Sequence, residues 1–167
     1  MAVVDKAGSI NNLSSVDTAN KLIAENVTNG GKLKFVRDTV EIAAGDDDGS
    51  KYRVARIPSN AVLSEVTIAN DAITGGTDYD LGVYDIPDTN SGAAIDADAL
   101  ADGVDLSSAS RTVDGLQTVD IANLHKKVWE LAGLSANPNK LVDLVLTGNT
   151  VGTAAGTITV TVIYALD

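Results

Sequence analysis

The segment GTITVTVIYAL, residues 156–166, alternates apolar and polar side chains with a period of two. Successive side chains of a β-strand point to opposite faces, so this alternation is typical of a strand that buries one face and exposes the other. Threonine suits the solvated face of such a strand. The segment therefore predicts a half-buried strand. Its apolar set is Ile158, Val160, Val162 and Tyr164, and its polar set is Thr157, Thr159 and Thr161.

Similar patterns occur along most of the chain before this segment. Residues 32–44 predict one long strand, or two strands separated by a bulge, and Val36, Val40 and Ile42 are compatible with one inward face. Short strands at intervals of about ten residues, separated by Gly, Asp and Asn turns, indicate an antiparallel β-sandwich or a jelly roll. We therefore predict a mainly β domain over residues 32–167. The other predicted strands are residues 51–57, 61–70, 78–86 and 141–148.

Two connecting stretches have predicted structures of their own. Residues 87–117 are rich in loop-forming residues, and the alanine and aspartate segment at 93–105 predicts one or two helical turns. The sequence NTVGTAAG, residues 149–156, joins the last two strands. Its glycines and small side chains predict a loose hairpin connection between them.

One helical pattern interrupts the strands, in DIANLHKKVWELAGLSANPNK, residues 120–140. Apolar residues recur there at spacings of three and four, which is the stripe of an amphipathic helix. Asp120 is suited to cap the first turn, and Gly133 is suited to the left-handed backbone at a helix end. We predict one amphipathic helix at about residues 120–132. The stripe consists of Ile121, Leu124, Val128 and Leu131.

The N-terminal residues 1–31 show no sustained period, and Asn29-Gly30-Gly31 forms a flexible break before the β domain. Residues 15–25 are compatible with a short helix that has Leu22 and Ile23 as its apolar contacts. The alternative is an extended arm that becomes ordered only against a neighbouring molecule. We favour the arm, and we divide the chain into this arm and a β-sandwich domain at 32–167.

The charge of the chain is strongly negative and unevenly distributed. The formal net charge is −11, and residues 58–118 hold eleven acidic side chains against Arg111 as the one basic residue. Such a region repels phosphate backbones, so we predict no nucleic-acid partner. The apolar runs are too short to span a membrane, and Asp5 lies where a signal peptide needs apolar residues. The chain contains no cysteine, so disulfides do not stabilise it.

The sequence lacks the motifs of common catalytic and cofactor sites. It contains no GxSxG, Walker, GxGxxG or CxxC motif, and His125 is the one histidine. A lone histidine has no second ligand for a zinc site, and it has no nucleophile elbow beside it. Packing against Trp129 one turn away is the commoner role for such a residue. We therefore predict that the protein is not an enzyme and binds no cofactor.

Two acidic clusters raise the question of calcium. GDDDGS at 45–50 resembles half of a calcium loop, but an EF-hand that began at Asp46 would need a glutamate at its twelfth position, where Ile57 stands. A solvated turn explains the segment better, because Asp-Gly is favoured in turns. We predict no metal site, with calcium left as the alternative. The second cluster consists of Asp96, Asp98, Asp102 and Asp105.

Several segments resemble those of small capsid-associated proteins of tailed bacteriophages, the head decoration or cement proteins. The segment VWELAGLSANPNK at 128–140 has the most distinctive sequence. The segments YRVARIPSNAVLSEVTIANDAI at 52–73 and YDLGVYD at 79–85 precede it in the same order, and a threonine-rich strand that ends in an aromatic follows it. The resemblance covers roughly residues 40–167 of the sequence. The arm lies outside it.

The resemblance implies a β-sandwich that binds the major capsid protein at local symmetry axes on the outer capsid surface of the virion, after synthesis in the host cytoplasm. It implies a homo-oligomer, for which we favour a trimer over a dimer, and it supplies no catalytic residues. From the residues themselves we add contact positions in the arm and in the first strand. They are Ile10, Leu13, Leu22, Ile23, Lys32, Lys34 and Arg37.

Two other functions remain as alternatives. The first is a β-sandwich carbohydrate-binding module, which would need exposed aromatic side chains in a chain whose aromatic content is 4%. The second is another virion role, as a component of the tail or neck. Sequence alone does not separate the second alternative from a capsid role.

Overall fold

A computed structural model of the protein describes residues 31–166, which form eight β-strands, one short α-helix and two 3-10 turns. The strands are β1 (Lys32–Ile42), β2 (Lys51–Pro58), β3 (Val62–Asn70), β4 (Asp78–Asp85), β5 (Ala94–Val104), β6 (Ser110–Asp114), β7 (Leu141–Thr150) and β8 (Gly156–Leu166). The helix α1 is Val128–Leu131, and the 3-10 turns are Asn90–Gly92 and Ile121–Asn123. The arm predicted over residues 1–31, with its contact positions Ile10, Leu13, Leu22 and Ile23, lies outside the described residues apart from Gly31.

The strands form two antiparallel sheets of four. Sheet A has the order β1-β8-β3-β6, and sheet B has the order β2-β7-β4-β5. The chain therefore passes from one sheet to the other at almost every connection, and only β4 and β5 are consecutive strands that pair. Eight strands in this arrangement form a jelly roll. The predicted mainly β, antiparallel sandwich is confirmed.

The core lies between the two sheets and follows the alternation seen in the sequence. Ile158, Val160 and Val162 on β8 are each 0% exposed, as are Leu144 and Leu146 on β7 of the opposite sheet. The threonines of β8 stay partly exposed on the outer side of sheet A. Each fully buried aliphatic side chain contributes about 1.5–3 kcal/mol. The inward sets of β7 and β8 therefore supply much of the force that holds the sheets together.

The connection between β7 and β8 is not the predicted hairpin, because these strands belong to different sheets. Contacts with the turn at residues 74–76 fix its path. The Thr153 N–H donates to the Thr74 carbonyl at 2.9 Å. Gly152 has φ +90°, and a side chain there would stand 2.5 Å from the Thr74 oxygen. This close backbone approach carries the chain across to sheet A.

Residues 93–105 form a strand and not the predicted helical turns, and β6 lies in a region that was predicted to be loop. Ala and Asp are poor strand formers, so local propensity did not indicate β5. Pairing with β4 overrides that propensity, although its register is irregular. Gly82 makes this possible, because a Cβ at Gly82 would lie 2.2 Å from the carbonyl carbon and oxygen of Ala97.

The predicted helix at about 120–132 is interrupted. Its cap is as predicted, since the Asp120 side chain accepts from the Ala122 N–H at 2.7 Å, but the turn ends at Asn123. The helical pattern resumes only at α1. At the start of α1 the Val128 N–H donates to the Ala61 carbonyl and the Trp129 N–H to the Ser59 carbonyl. These bonds attach the segment to the start of β3 in place of the bonds that a continuous helix would make.

Two further details follow from this interruption. Ile121 is 87% exposed, so the predicted apolar stripe does not enter the core as one unit. Val128 is the stripe residue that becomes fully buried, and Gly133 has φ +68° after the helix, as predicted. Within the described residues, no helix has the length and apolar character needed to cross a membrane.

Candidate contact surfaces

Strand β1 is the edge of sheet A and carries the predicted basic contact residues. It pairs along its whole length with β8, and its opposite edge has no strand partner among the described residues. Lys32, Lys34 and Arg37 are all exposed. The structure separates them, because alternate residues of a strand point to opposite faces. Arg37 lies on the outer face of sheet A, and the two lysines lie on the other face of the strand.

The outer face of β1 also carries two large apolar side chains that sequence reasoning missed. Leu33 is 66% exposed and Phe35 is 68% exposed. Phe35 is paired in register with Ile163 of β8, which is itself partly exposed. The available signal was the assignment of Val36 and the other even positions to the inward face, which places the odd positions outward. Leu33, Phe35 and Ile163 are called the apolar patch below.

A groove of about 360 Å³ continues this outer face and contains two arginines. Arg37 and Arg111 line it together with Glu65. The Arg37 Nε donates to the Thr161 hydroxyl at 2.8 Å, and Thr67 donates to the Glu65 carboxylate at 2.7 Å. Neither arginine has a carboxylate within ion-pair distance in residues 31–166. The groove and the apolar patch form one surface, the outer surface of sheet A.

The two arginines of β2 bind other residues of the sandwich. Arg53 and Arg56 both bind the carboxylate of Asp143 on β7, at 2.9 and 2.6 Å. Arg53 also donates to the carbonyls of Asp85 and Gly92. Burial alone would raise the pKa of Asp143, but the hydrogen bonds from the two arginines lower it below its ordinary value. These arginines are therefore structural.

The part of sheet B formed by β4 and β5 has an acidic outer side. The carboxylates of Asp78, Asp80 and Asp102 lie within 4.8 Å of one another. The charge of Asp80 is the main cause that raises the pKa of Asp102, and burial adds to it. Asp96 and Asp98 lie on the neighbouring strand β5, and burial raises the pKa of Asp96, with a smaller contribution from Asp98. With these two, the three clustered carboxylates form the acidic surface of sheet B.

The acidic groups singled out in the sequence are partly reassigned. Of the cluster predicted at 96–105, only Asp102 joins the close group of three, because Asp105 instead accepts from the Ser107 N–H at 2.8 Å. In the turn at 45–50, Asp46 accepts from the Tyr52 hydroxyl at 2.9 Å and Asp48 accepts from the Val151 N–H at 3.0 Å. Both carboxylates therefore fasten the loop to the sandwich. Asp78, Asp80 and Asp102 have the oxygen chemistry that a hard cation prefers.

His125 has no catalytic setting in the described part of the chain. Its Nδ1 atom is buried without a hydrogen-bond partner, as is Nε1 of Trp129. A general base needs a proton donor or an orienting carboxylate within about 3 Å. No nucleophile or acid of residues 31–166 is hydrogen-bonded to the imidazole.

Comparisons with known proteins find a similar fold among solved structures. No protein-family model matches the sequence, and no curated protein matches it. A chain of the capsid of Ralstonia phage GP4 aligns with a TM-score of 0.56 and 14% identity, over 82% of this chain and 86% of that chain. A chain of the cyanophage Pam1 capsid asymmetric unit aligns with a TM-score of 0.49 and 19% identity, over 93% of this chain and 100% of that chain. The GP4 match supports the resemblance to capsid-associated phage proteins at the level of the fold.

Proposed function

We propose that this chain is a structural protein of a phage virion that decorates the outer surface of the capsid and stabilises the shell without catalysis. The observation that carries the proposal is the jelly-roll fold shared with a chain of the Ralstonia phage GP4 capsid, which is of similar length. The sequence resemblance over the segments at 52–73, 79–85 and 128–140 supports the same role.

The proposed partner is the major capsid protein, bound at local symmetry axes. The free edge of β1 supports this assignment, because an exposed strand of 11 residues normally has its edge paired or covered. Lys32 and Lys34 on this edge supply charge, and the preceding residues of the arm continue from the same end of the strand. We therefore assign capsid or subunit contacts to β1 and to the arm residues Ile10, Leu13, Leu22 and Ile23.

The protein would act as a homo-oligomer, with a trimer favoured over a dimer. Several copies that bind together gain affinity because the second and third contacts become intramolecular. The proposed location is the outside of the virion, after synthesis in the host cytoplasm. The net charge of −11 supports an outer position, because it keeps particles mutually repelling and disfavours contact with the packaged nucleic acid.

Binding to shells tests the proposal directly. Capsids that lack this protein are mixed with the full chain, with a chain that lacks residues 1–25, and with the variant K32E/K34E. We expect the full chain to saturate the shell at a fixed number of copies, and both variants to show lower occupancy by electron cryomicroscopy. The control is K126E, which makes the same charge change per substituted residue at a site away from β1. A full chain that leaves the capsid bare would overturn the proposal.

The same images separate the alternatives. Density on the tail or neck and none on the head would favour the other virion role. The carbohydrate-binding alternative has little support in the described residues, because all four tyrosines are buried and Trp129 is only partly exposed. Phe35 is the aromatic side chain that remains available, and one aromatic makes a poor platform for stacking sugar rings.

A further inference from the structure

The outer surfaces of the two sheets carry their charges in different arrangements. The groove on the outer surface of sheet A holds Arg37 and Arg111 with Glu65 as its one acid, and Glu41 and Asp114 lie elsewhere on the same surface. The acidic surface of sheet B carries five aspartates, three of which are clustered within 4.8 Å. In a chain with a net charge of −11, the groove of sheet A is thus locally cationic. A cationic groove on one side and an aspartate cluster on the other favour one orientation on a charged partner.

The surface that holds this groove also carries exposed apolar side chains. Leu33 and Phe35 project from β1 at 66% and 68% exposure, next to Ile163. Arginine and aromatic residues are enriched in protein interfaces, where they dominate the binding energy. Strands about 4.8 Å apart and a longest strand of 11 residues give the face an area of roughly 600 Å². This approaches the roughly 800 Å² per partner of a standard interface.

We infer that the outer surface of sheet A faces the shell, where it binds an acidic protein surface that carries an exposed apolar side chain. This inference rests on the proposed function and adds an orientation to it. The apolar patch packs against the capsid protein at the β1 edge of the contact, and Arg37 and Arg111 pair with carboxylates of the capsid protein. The acidic surface of sheet B then points away from the shell into solvent.

The arginines specify the chemistry of the partner. Neither has a carboxylate within ion-pair distance among the described residues, whereas Arg53 and Arg56 share Asp143. A guanidinium group presents a planar fork of donors that matches a carboxylate in a bidentate pair. The Arg37 Nε already donates to Thr161, which fixes the side chain and leaves its terminal nitrogens available. The two arginines are therefore positioned to bind acidic side chains.

A second copy of this chain fits the surface less well than the shell does. In a two-fold contact that joins the two grooves, Arg37 and Arg111 of one copy would approach the same two arginines of the other, with one Glu65 in each groove to balance them. A head-to-tail contact with the acidic surface of sheet B would join faces on opposite sides of the sandwich. Contacts of that kind do not close into a trimer and build open filaments.

The test measures binding of full-length variants to capsids that lack this protein. We expect R37E/R111E to bind at least about tenfold more weakly, and F35S to weaken binding in the same direction, since arginine and aromatic side chains contribute most of the energy of a contact. The variant D98K/D102K changes the opposite surface and should bind within about twofold of the wild type. Thermal unfolding of each variant verifies that it is folded, and the exposed position of Phe35 makes F35S the safer of the two.

The outcomes separate the orientation from the function. Wild-type protein that binds shells while R37E/R111E and F35S bind equally well would overturn the orientation and leave the proposed function intact. A large effect of D98K/D102K alone would show that sheet B faces the shell. Light scattering tests whether a second copy of this chain binds the outer surface of sheet A. A lower solution mass of R37E/R111E with unchanged shell binding would assign the surface to a second copy. Wild-type protein that never binds shells would remove the function and the orientation together.

Discussion

Arg56 donates from Nε to the Asp143 carboxylate at 2.6 Å and thereby joins β2 to β7 on the outer side of sheet B. The aspartate side chain is 3% exposed, and Arg53 binds its other oxygen at 2.9 Å. Asp143 therefore satisfies two guanidinium groups that would otherwise compete for an external acid. The arrangement explains why the two arginines of β2 bind within the fold, whereas Arg37 of β1 has no carboxylate partner in residues 31–166.

Replacement of Asp143 by Asn should lower the free energy of unfolding by about 2 kcal/mol at pH 7, the usual value for charge-assisted hydrogen bonds. The folded state lowers the pKa of Asp143 below the unfolded value of about 3.9. Its stabilising effect is therefore present above about pH 4 and is lost as the pH falls through the folded pKa. Urea unfolding of both proteins at pH 7 and near pH 2.5 measures this difference.

The matched control is Asp47→Asn, which changes an exposed acid in the turn between β1 and β2. We expect it to alter stability by less than about 0.5 kcal/mol. An Asp143→Asn protein as stable as this control at pH 7 would contradict a structural role for the bridge.

Alanine substitutions at Gly82 and, as a control, at Gly45 test the close approach of β5 to β4. A Cβ at Gly82 would lie 2.2 Å from the backbone of Ala97, whereas a Cβ at Gly45 would have no atom within 4 Å. Gly82→Ala should therefore destabilise the protein by about 3 kcal/mol or more, since backbone and not a flexible side chain must move. Gly45→Ala should stay within about 0.5 kcal/mol. Thermal unfolding distinguishes them, because 1 kcal/mol corresponds to about 2–4 °C at this chain length.

Asp102 and Asp105 should respond to pH with opposite signs. Repulsion by Asp80 raises the pKa of Asp102, so its charged form is unfavourable in the folded state. Asp102→Asn should then stabilise the protein at pH 7, and the gain should vanish below about pH 4, where both states are protonated. The hydrogen bonds from Ser107 lower the pKa of Asp105, so Asp105→Asn should destabilise at pH 7 and lose its effect as the pH falls through the folded pKa.

Chemical denaturation of the two variants from pH 3 to pH 7 tests this pair. Because both side chains are exposed, the effects should be small and should shrink further in high salt. Two variants with the same sign of stability change at pH 7 would contradict the assigned causes.

The strands were predictable where apolar and polar residues alternate regularly and the apolar face is buried. β8 shows this most clearly, since Ile158, Val160 and Val162 are buried as their period of two predicts. β5 was not predictable, because its Ala and Asp residues lack β propensity and its pairing depends on the missing side chain of Gly82. The path from β7 to β8 likewise depends on contacts with Thr74, which lies far away in sequence.

The contact surfaces were predictable in part. The exposed positions of Lys32, Lys34 and Arg37 follow from their charge. The separation of Arg37 from the two lysines follows only when the strand is given an inward face, and that step also reveals Phe35. The pairing of Arg37 with Arg111 in one groove was beyond the sequence, because the strand order that brings β6 into sheet A is a property of the whole fold.

Alanine substitutions at Val128 and Ile121 test whether the predicted helix is continuous or interrupted. A continuous amphipathic helix would bury both, whereas the structure leaves Ile121 87% exposed and Val128 0% exposed. The hydrogen bond from the Val128 N–H to the Ala61 carbonyl explains the difference, since it ties α1 to β3 and leaves the first turn outside. Val128→Ala should therefore cost about 2 kcal/mol, and Ile121→Ala less than about 0.5 kcal/mol. Equal losses in urea unfolding would favour the continuous helix and contradict the interruption between Asn123 and Val128.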